Sequence, residues 1–285
     1  MSFAPIWIAH RINQVLQYLL YHTLTLIKDR FNSDPVKWWN NFYKNNTANF
    51  FKDRKWLQQE FPILSEVTSL TAPPTTLLEV GAGAGNTAFP ILKQNQNKNL
   101  KIHACDFSKK AVEVIRANEA YDDGINIQAD VWDIAGEDLP PGLGEGSVDV
   151  VLLIFIFSAL SPSQWDKAVN NIYRVLKPNG EVLFRDYGRG DLAQVRFKKG
   201  RYLEENFYIR GDGTRVYFFD KDELIKIWSG KDPSKPGVFQ VENPGFEVTD
   251  LGVDRRLLVN RAKQLKMYRC WMQGRFKKHE KPGPG

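Results

Sequence analysis

The stretch that decides the fold is LLEVGAGAGN, residues 77–86. Its apolar start is typical of a buried strand, and three glycines follow at alternate positions, Gly81, Gly83 and Gly85. Glycine lets the backbone turn tightly and lets a ligand approach the amides at the start of the following helix. An ordinary turn between a strand and a helix has a similar composition, so the glycines alone do not establish a ligand site.

Short apolar runs alternate with helical stretches after this turn, a pattern typical of βαβ units and a parallel sheet. The predicted strands span residues 77–80, 101–105, 126–129, 148–154 and 181–185, and the predicted helices between them span 86–94, 109–120 and 163–176. A basic and aromatic insertion precedes a helix at 220–228 and two strands at 247–254 and 266–276. The expected fold is therefore α/β and Rossmann-like, with a mostly parallel sheet.

The chain is expected to have three parts. Residues 1–34 form an amphipathic helix, and residues 35–70 form a helical cap, because the aromatic residues from Trp38 to Phe61 have helical spacing. Residues 71–285 form the α/β domain, which contains the insertion at about residues 187–219.

The spacing of the glycines bears on the type of cofactor. Dinucleotide-binding turns follow the pattern G-x-G-x-x-G, whereas Asn86 occupies the third glycine position here. A pyrophosphate group is therefore disfavoured. Glu79 stands two residues before the first glycine, and a carboxylate there suits a cofactor that ends in a cationic amino acid, as S-adenosylmethionine does.

Two further acids follow neighbouring strands. Asp106 ends the second strand, where it can accept both ribose hydroxyls, and Asp130 follows the third strand, where it can accept a hydrogen bond from an adenine amino group. Each acid taken singly could be a helix cap or a loop residue. The ordered set of three acids, at strand ends that meet in one cleft, favours an S-adenosylmethionine site.

Composition excludes several classes of protein. The chain has 285 residues, of which 42% are hydrophobic and 25% charged, and this excludes a disordered chain and a bundle of membrane spans. Cys105 and Cys270 cannot build a disulfide framework, and the four histidines are scattered. We therefore expect no metal site and a reducing, cytoplasmic location.

Positive charge is concentrated in three segments. Residues 255–281 hold ten Lys and Arg and one acid, residues 37–55 hold five and one, and residues 185–215 hold eight and five. The net charge of the whole chain is only +6, so the remainder is acidic. Basic segments around an acidic body indicate a polyanionic partner, with nucleic acid as the leading candidate.

The first 28 residues contain no acid, and Ile12 and Leu19 are among the apolar residues that share one helical face. Polar residues interrupt this stretch and no run of eighteen apolar residues occurs, so we expect no transmembrane segment. A helix that packs on the following domain is the first interpretation. An organelle presequence, which would make the protein mitochondrial, is the alternative.

Several blocks of sequence outside the glycine turn resemble one family. They are WWNNFYK (38–44), NFFKDRKWL (49–57), EFP (60–62), LFRDYGRGD (183–191), RFKKG (196–200), NFYIRGDGTRVYFF (206–219), DRRL (254–257), NRAKQ (260–264) and MYR (267–269). Through these blocks the chain resembles the tRNA N3-methylcytidine methyltransferases over about residues 37–278. A generic methyltransferase has none of them.

The resemblance implies a class I, S-adenosylmethionine-dependent methyltransferase whose seven-stranded sheet contains one antiparallel strand. It also implies methylation of N3 of a cytidine in the anticodon loop of tRNA, at position 32. The family's cofactor-contacting positions match Trp39, Tyr43, Gly81, Asp106, Asp130 and Ile154. Family members often depend on an accessory protein, which is seryl-tRNA synthetase in some cases.

Two departures from the family pattern stand out. Lys55 occupies a position where the family usually has His, and residues 1–30 are apolar where the family's first helix is normally polar. These departures leave the location and the partner protein open, and they do not affect the expected reaction.

Asp186 and Asp191 are the candidate catalytic carboxylates, because methylated cytosine is positively charged and a nearby carboxylate stabilises that charge. The alternative is that both are turn acids paired with Arg185 and Arg189. The RNA-binding candidates are Phe51, Lys52, Arg54, Arg189, Arg196, Lys198, Lys199, Arg210 and Arg215. Further candidates for base stacking are Phe50, Tyr187 and Tyr208, and core packing is the alternative role of every aromatic candidate.

Two other functions stay open at this point. A methyltransferase of the same fold could act on a protein or a small molecule. A non-catalytic RNA-binding subunit could also retain the cofactor fold.

Overall fold

A computed structural model describes residues 6–46, 48, 50–231, 233–234, 245–261 and 264–279. Outside the described residues lie the start of the predicted N-terminal helix at 1–5, Asn49 and residues 262–263 of the family blocks, and Lys281 of the last basic segment. The helices are α1 (Ile6–Asn32), α2 (Pro35–Asn46), α3 (Leu57–Glu60), α4 (Ile63–Val67), α5 (Ala88–Gln94), α6 (Lys109–Arg116), α7 (Trp165–Val175), α8 (Leu192–Val195) and α9 (Lys221–Ser229). The strands are β1 (Thr75–Val80), β2 (Leu100–Asp106), β3 (Ile127–Val131), β4 (Val148–Ile154), β5 (Leu176–Tyr187), β6 (Tyr202–Glu204), β7 (Phe207–Ile209), β8 (Arg215–Tyr217), β9 (Glu247–Asn260) and β10 (Leu265–Lys277).

Seven strands form one sheet in the order β3-β2-β1-β4-β5-β10-β9. Strands β1 to β5 are parallel, and β10 is antiparallel to both of its neighbours, β5 and β9. The mostly parallel sheet with one antiparallel strand near its edge is therefore confirmed. Strand β1 has β2 on one side and β4 on the other, so the strand order reverses there and a cleft opens at the carboxyl ends.

Helices cover both faces of the central strands. Leu77 and Leu78 belong to separate core clusters because successive side chains of a strand point to opposite faces. Leu78 packs in the cluster that contains side chains of α7 and α9, and Leu77 packs in the cluster that contains side chains of α5 and α6. The glycine turn therefore starts from a strand that is fixed on both faces.

Strand β5 begins at Leu176, where the sequence predicts the end of a helix and a strand only from residue 181. Leu176 pairs with Val148 of β4, and the Asn179 amide donates to the Lys278 carbonyl at 3.0 Å. The turn around Pro178 is therefore joined to the sheet by pairing with distant residues, which local sequence does not indicate.

The predicted helical spacing does not continue through the cap. The helices end at Asn46 and resume at Leu57. Between them the chain follows the glycine turn, where the Arg54 amide donates to the Asn86 carbonyl at 2.9 Å and Asn86 Nδ2 donates to the Phe51 carbonyl at 3.3 Å. Contacts with the turn replace helical hydrogen bonds, and asparagine side chains favour such local alternatives.

The insertion folds into α8 and a three-stranded antiparallel sheet, β6-β7-β8. Gly213, with a φ of +87°, lies directly against α2, because a Cβ atom there would be 2.1 Å from the Trp38 ring. Only glycine permits this backbone angle and this approach together. The close contact places the insertion beside the cap.

The β9–β10 hairpin is longer than the sheet that it joins. Strand β10 pairs with β5 from Trp271 to Lys277, whereas residues 265–270 pair only with β9. The hairpin therefore extends beyond the sheet edge next to the cleft. Among the described residues, no helix combines the length and the hydropathy that a membrane crossing requires.

Trp228 provides a test of the packing between α9 and the sheet edge. Its side chain is fully buried and stacks on Phe276 of β10, with ring centroids 4.4 Å apart. Trp228→Ala should lower the free energy of unfolding by roughly 3–5 kcal/mol, because it leaves a large cavity. Urea denaturation measures the loss. Tyr268→Ala, at a side chain that is 63% exposed, is the control and should change it by less than about 0.5 kcal/mol; equal losses in the two variants would contradict this packing.

Candidate active site

The carboxyl ends of β1 and β4 open into a cavity of about 620 Å³. Four parts of the fold supply its walls: α2 with residues 50–56, the ends of the central strands, the insertion, and the β9–β10 hairpin. Among the described residues, seven Lys or Arg and three Asp line the cavity. Its walls are therefore positively charged overall.

The glycine turn forms one end of the cavity. Gly81 and Gly83 have φ angles of +65° and +60°, in the left-handed region. A Cβ atom on Gly81 would lie 2.2 Å from Ile156 Cγ1, and one on Gly83 would lie 2.4 Å from Tyr43 Oη. Backbone angle and space both require glycine at these positions.

Asp106 lies on the cavity wall beside this turn. Its carboxylate accepts hydrogen bonds from the amides of Gly83 and Ser108, each at 2.8 Å. Burial raises the pKa of Asp106 to about 6, and these two amides oppose that increase. A carboxylate has about four lone-pair directions, so the two amides leave acceptor capacity for ligand hydroxyls.

Helix α2 is fixed next to Asp106. Asn40 Oδ1 accepts a hydrogen bond from Ser108 Oγ at 2.8 Å, which joins α2 to the turn after β2. Trp39 and Tyr43 lie on the same helix, with ring centroids 6.2 Å apart, and both line the cavity. The sequence-predicted cofactor positions that line it are Trp39, Tyr43, Gly81, Gly83, Asp106 and Ile154.

Glu79 lies behind the glycine turn and does not line the cavity. It accepts a hydrogen bond from the Ala88 amide at 3.1 Å, and Arg54 Nη1 lies 3.8 Å from its other oxygen. Burial raises the pKa of Glu79 to about 7, and Arg54 opposes that increase. The structure thus places Glu79 against α5, and its role toward a cationic amino acid stays a prediction.

Gly85 and Asp130 also lie off the cavity wall. A Cβ atom on Gly85 would lie 2.4 Å from the Phe89 ring, so this glycine serves the packing of α5. Asp130 pairs with Arg116 at 2.9 Å and accepts from Gln128 Nε2 at 2.7 Å. The adenine contact expected of Asp130 stays a prediction.

The candidate catalytic carboxylate Asp186 is fully buried next to the cavity but does not line it. It accepts hydrogen bonds from the amides of Ser158 and Tyr187, each at 2.8 Å. Burial raises its pKa to about 6, and these hydrogen bonds oppose the increase. Its catalytic role stays a prediction.

Asp191 is equally buried and also lies off the wall. It caps α8 through the Ala193 amide and accepts from Arg269 Nε at 2.8 Å. The sequence analysis offered, as the alternative, that Asp186 and Asp191 pair with Arg185 and Arg189. That pairing is wrong for both arginines. Arg185 pairs with Asp254, and Arg189 pairs with two acids at the start of α9, Asp220 and Glu223.

The RNA-binding candidates separate into two groups. Those that line the cavity are Phe51, Lys52, Arg54, Arg210 and Arg215. Those that lie outside it are Arg189, Arg196, Lys198 and Lys199. The last three of these are exposed on the segment around α8, where they can reach a large ligand.

Arg54 is unsuited to a free phosphate contact. Its side chain is only 14% exposed, and Nη1 donates to Thr87 Oγ1 at 2.7 Å beside Glu79. Burial lowers the pKa of Arg54, and the charge of Glu79 opposes that decrease. Arg54 therefore holds the cap on the glycine turn and forms part of the wall.

Comparison with known proteins identifies the family. A family model described as a methyltransferase domain matches residues 78–182. The tRNA N(3)-methylcytidine methyltransferase of Schizosaccharomyces pombe is 50% identical over 251 residues, which cover 88% of this chain and 77% of that protein. This chain belongs to the tRNA N(3)-methylcytidine methyltransferase family.

Further relatives carry related names. The tRNA(Thr) (cytosine(32)-N(3))-methyltransferase of Saccharomyces cerevisiae is 53% identical over 251 residues, which cover 87% of this chain and only 38% of that longer protein. A human tRNA N(3)-cytidine methyltransferase is 38% identical over an alignment that covers 84% of this chain and 78% of the human protein.

Solved structures show the same fold. A SAM-dependent methyltransferase from Anabaena variabilis superposes with a TM-score of 0.58 at 12% identity, covering 86% of this chain and 95% of that one. One from Methanosarcina mazei gives 0.53 at 16% identity, with 77% and 99% covered. The Rossmann-like methyltransferase fold of this family member is therefore confirmed.

The cavity of this methyltransferase fits S-adenosylmethionine. The glycine turn leaves no space for side chains, Asp106 retains acceptor capacity for ribose hydroxyls, and Trp39 and Tyr43 supply aromatic surface. Within the part of the chain that the structure describes, no three His, Cys, Asp or Glu side chains are grouped to hold a metal ion.

Phe155 is a site residue of this methyltransferase that sequence reasoning missed. It lines the cavity with a φ of +60°, which is uncommon for a bulky side chain. Its amide donates to the Arg185 carbonyl at 2.7 Å, so pairing with β5 maintains the strained angle. The end of β4 is recognisable in the sequence, whereas the strain is not.

Asp133 and Trp271 also line the cavity and were missed. Asp133 stands three residues after Asp130, so the end of the third strand was the available signal. Trp271 reaches the site because β10 pairs with β5, where it lies opposite Tyr187. No spacing in the sequence indicates that pairing.

Asp106→Ala should weaken binding of S-adenosylhomocysteine by about 10- to 100-fold, because it removes charge-assisted acceptors for the ribose. Calorimetry measures this affinity. Glu113→Ala is the control, because Glu113 is an exposed acid on α6 that pairs with Lys110 and does not line the cavity, and it should change the affinity by less than about twofold. Unchanged affinity in Asp106→Ala would remove the assignment.

The same carboxylate should make cofactor affinity depend on pH. Asp106, with a pKa near 6, is ionised above that value, so affinity should be constant above about pH 7 and fall as the pH drops through 6. Asp106→Asn should remove the step because the amide does not titrate. A step that persists in Asp106→Asn would assign it to another group.

Proposed function

We propose that this chain transfers a methyl group from S-adenosylmethionine to N3 of cytidine 32 in the anticodon loop of tRNA. The observation that carries the proposal is one cavity that joins a glycine turn and Asp106 to a wall rich in arginine. The names of the fungal relatives support the tRNA substrate, and the Saccharomyces cerevisiae relative supports position 32.

The residues that would hold the cofactor lie at one end of the cavity. Gly81 and Gly83 provide close backbone approach, Asp106 accepts hydrogen bonds from the ribose, and Trp39 and Tyr43 cover the site from α2. When bound there, S-adenosylmethionine supplies an activated methyl group.

Cytosine N3 needs little chemical help from the protein. Its ring lone pair is unprotonated near neutral pH, so no strong general base is required, and orientation of the base is the main contribution. Aromatic walls such as Phe155 and Trp271 exclude water from the reacting atoms. Asp186 remains the candidate for stabilising the positive charge that develops on the ring.

Access to N3 favours a single-stranded target. N3 lies on the Watson–Crick edge, which base pairing covers, so the target must be a loop nucleotide or a flipped base. An anticodon-loop cytidine meets this requirement. The basic segment around Lys199 lies outside the cavity and can contact the rest of the RNA.

The decisive experiment uses purified protein, S-adenosylmethionine with a labelled methyl group, and tRNA that contains cytidine 32. Nucleoside mass spectrometry should detect N3-methylcytidine, and replacement of cytidine 32 by uridine should abolish it. Label that enters protein and survives nuclease treatment would support the rival protein substrate. Tight tRNA binding without any methyl transfer would support a non-catalytic subunit.

Lys199→Ala should make the salt dependence of tRNA binding shallower. The exposed lysine neutralises one phosphate and so releases one counterion on binding, and the variant cannot do this. The slope of log K against log salt should decrease in magnitude by about 0.7–0.9. Filter binding over a salt series measures it. Lys93→Ala, at an exposed lysine outside the three basic segments, is the control and should keep the parental slope. Equal slopes for Lys199→Ala and the parent would exclude the phosphate contact.

Location and partner protein complete the proposal. We propose a cytoplasmic location; a mitochondrial one is the alternative, because the first 28 residues contain no acid. We also propose an accessory protein such as seryl-tRNA synthetase. Exposed apolar side chains on α1, Ile12, Val15, Tyr18 and Leu26, support a protein partner on this helix. Imaging of the tagged chain tests the location, and affinity purification tests the partner.

A further inference from the structure

Aromatic rings and guanidinium groups alternate along the cavity wall that the cap, β5, β10 and the insertion build. Six side chains form this ring–guanidinium wall, in the order Trp56, Arg185, Trp271, Arg269, Tyr187 and Arg210. Arg185 lies 4.9 Å from the centroids of both tryptophan rings, and Arg210 lies 5.4 Å from that of Tyr187. Cation–π contacts therefore hold each arginine in a defined place.

Most of the positive charge in this wall is balanced within the protein. Arg185 pairs with Asp254, and Arg269 pairs with the buried Asp191 at 2.8 Å. Arg210 differs, because no carboxylate of the described residues lies within ion-pair distance of it and its guanidinium donates to the Arg215 carbonyl at 3.0 Å. The buried carboxylate of Asp186 interacts with the charge of Arg210 at longer range, so Arg210 is the arginine of this wall that lacks a direct ion pair with a described residue.

Arg215, whose carbonyl accepts from Arg210, also lacks a direct ion pair with a described carboxylate. Only 5% exposed, it donates to the Ala159 carbonyl at 3.2 Å, to Asn32 Oδ1 at 2.9 Å and to Gln164 Oε1 at 3.1 Å. All three acceptors are neutral. Burial lowers the pKa of Arg215 to about 10, the charge of Asp133 opposes that decrease, and Arg215 remains charged at neutral pH.

Arg210 and Arg215 thus line one cavity without a direct ion pair to a described carboxylate. Burying a charge is costly unless a counter-charge accompanies it. Because Arg210 and Arg215 both line the cavity, an anionic group of a ligand can supply a counter-charge in direct contact with them. Guanidinium groups suit phosphate oxygens in particular, because their planar fork donates two parallel hydrogen bonds.

We propose that Arg210 and Arg215 form the subsite for the phosphodiester next to the target cytidine. This inference rests on the proposed function and identifies which part of the nucleotide the insertion recognises. A cytosine base is neutral before methylation, so the adjacent phosphodiester is the anion that can meet these two arginines as the base enters the cavity. The remainder of the ring–guanidinium wall positions Arg210 through Tyr187.

Tyr187 lies next to two arginines of this wall. Arg269 and Arg210 both lie against the Tyr187 ring, at 5.9 Å and 5.4 Å from its centroid. Two guanidinium groups of the protein therefore already lie next to the Tyr187 ring. Its place in this wall accounts for the aromatic ring of Tyr187, and the stacking role expected from the sequence stays a prediction.

The test combines a protein variant with an RNA that lacks one charge. An anticodon stem-loop RNA containing cytidine 32 carries a single neutral methylphosphonate on the 5′ or the 3′ side of that cytidine, and binding is titrated with S-adenosylhomocysteine present. For the parent protein, one of the two neutral linkages should weaken binding by about 10- to 100-fold. Arg210→Gln should weaken binding of the unmodified RNA by a similar factor and show no further loss with the neutral linkage.

Two variants accompany Arg210→Gln. Arg215→Lys retains the charge but not the fork, so it should lose part of the affinity and part of the sensitivity to the neutral linkage. Because Arg215 also joins three structural elements, the melting temperature of the Arg215→Lys protein is measured alongside its RNA affinity. Arg174→Gln, at a half-exposed arginine that pairs with Glu145 away from the cavity, is the control and should behave as the parent does.

Three results would overturn the subsite. An equal penalty for the neutral linkage in Arg210→Gln and in the parent would show that Arg210 does not contact that phosphate. No penalty at either linkage in the parent would exclude both phosphates. A loss of S-adenosylhomocysteine affinity in Arg210→Gln would assign the arginines to the cofactor's carboxylate. Failure of methyl transfer by the parent, with the linkage penalty intact, would instead reject the proposed reaction and leave the subsite in place.

Discussion

The buried ion pair between Glu79 and Arg54 is the contact on which the site depends. Glu79 is 1% exposed beneath the glycine turn, and an ionised carboxylate there would be strongly disfavoured without a partner. Arg54 provides that partner from the cap, so the pair fixes the residues around Phe51 and Lys52 at the mouth of the cavity. Asn86 reinforces the contact through the backbone of the same segment. The half of the site that covers the cofactor is thus attached to the half that binds it.

The arginines around the cavity differ in whether a carboxylate of the protein pairs with them directly. Arg185 and Arg269 have acid partners and act as rigid parts of the wall, whereas Arg210 and Arg215 have only neutral acceptors. Exposed lysines such as Lys199 lie farther out, where solvent screens them. The arrangement suits an RNA substrate, because distant phosphates require only a diffuse field, while the reacting nucleotide requires fixed donors.

Several features were predictable because they depend on local sequence. The run before Gly81 and the glycines themselves indicate a strand and a turn, and Asp106 follows the next strand at the expected edge of a parallel sheet. Asp130 follows the third strand in the same way; its side chain pairs with Arg116, and its adenine contact stays a prediction. A strand end limits a residue to one edge of the sheet, and it does not choose between side chains that point into the cleft and side chains that point away.

The sequence by itself determined the fold class, the glycine turn, the family and the three basic segments, because each follows from residue type and short spacing. Tertiary structure decided which charges face the cavity, since partners such as Asp254 for Arg185 and Asp191 for Arg269 are distant along the chain. It also brought Trp271 to the site through the antiparallel pairing of β10 with β5 and imposed the strained angle of Phe155. Contacts between segments that are distant along the chain determine all of these features, and the local sequence does not indicate which distant segments will pair.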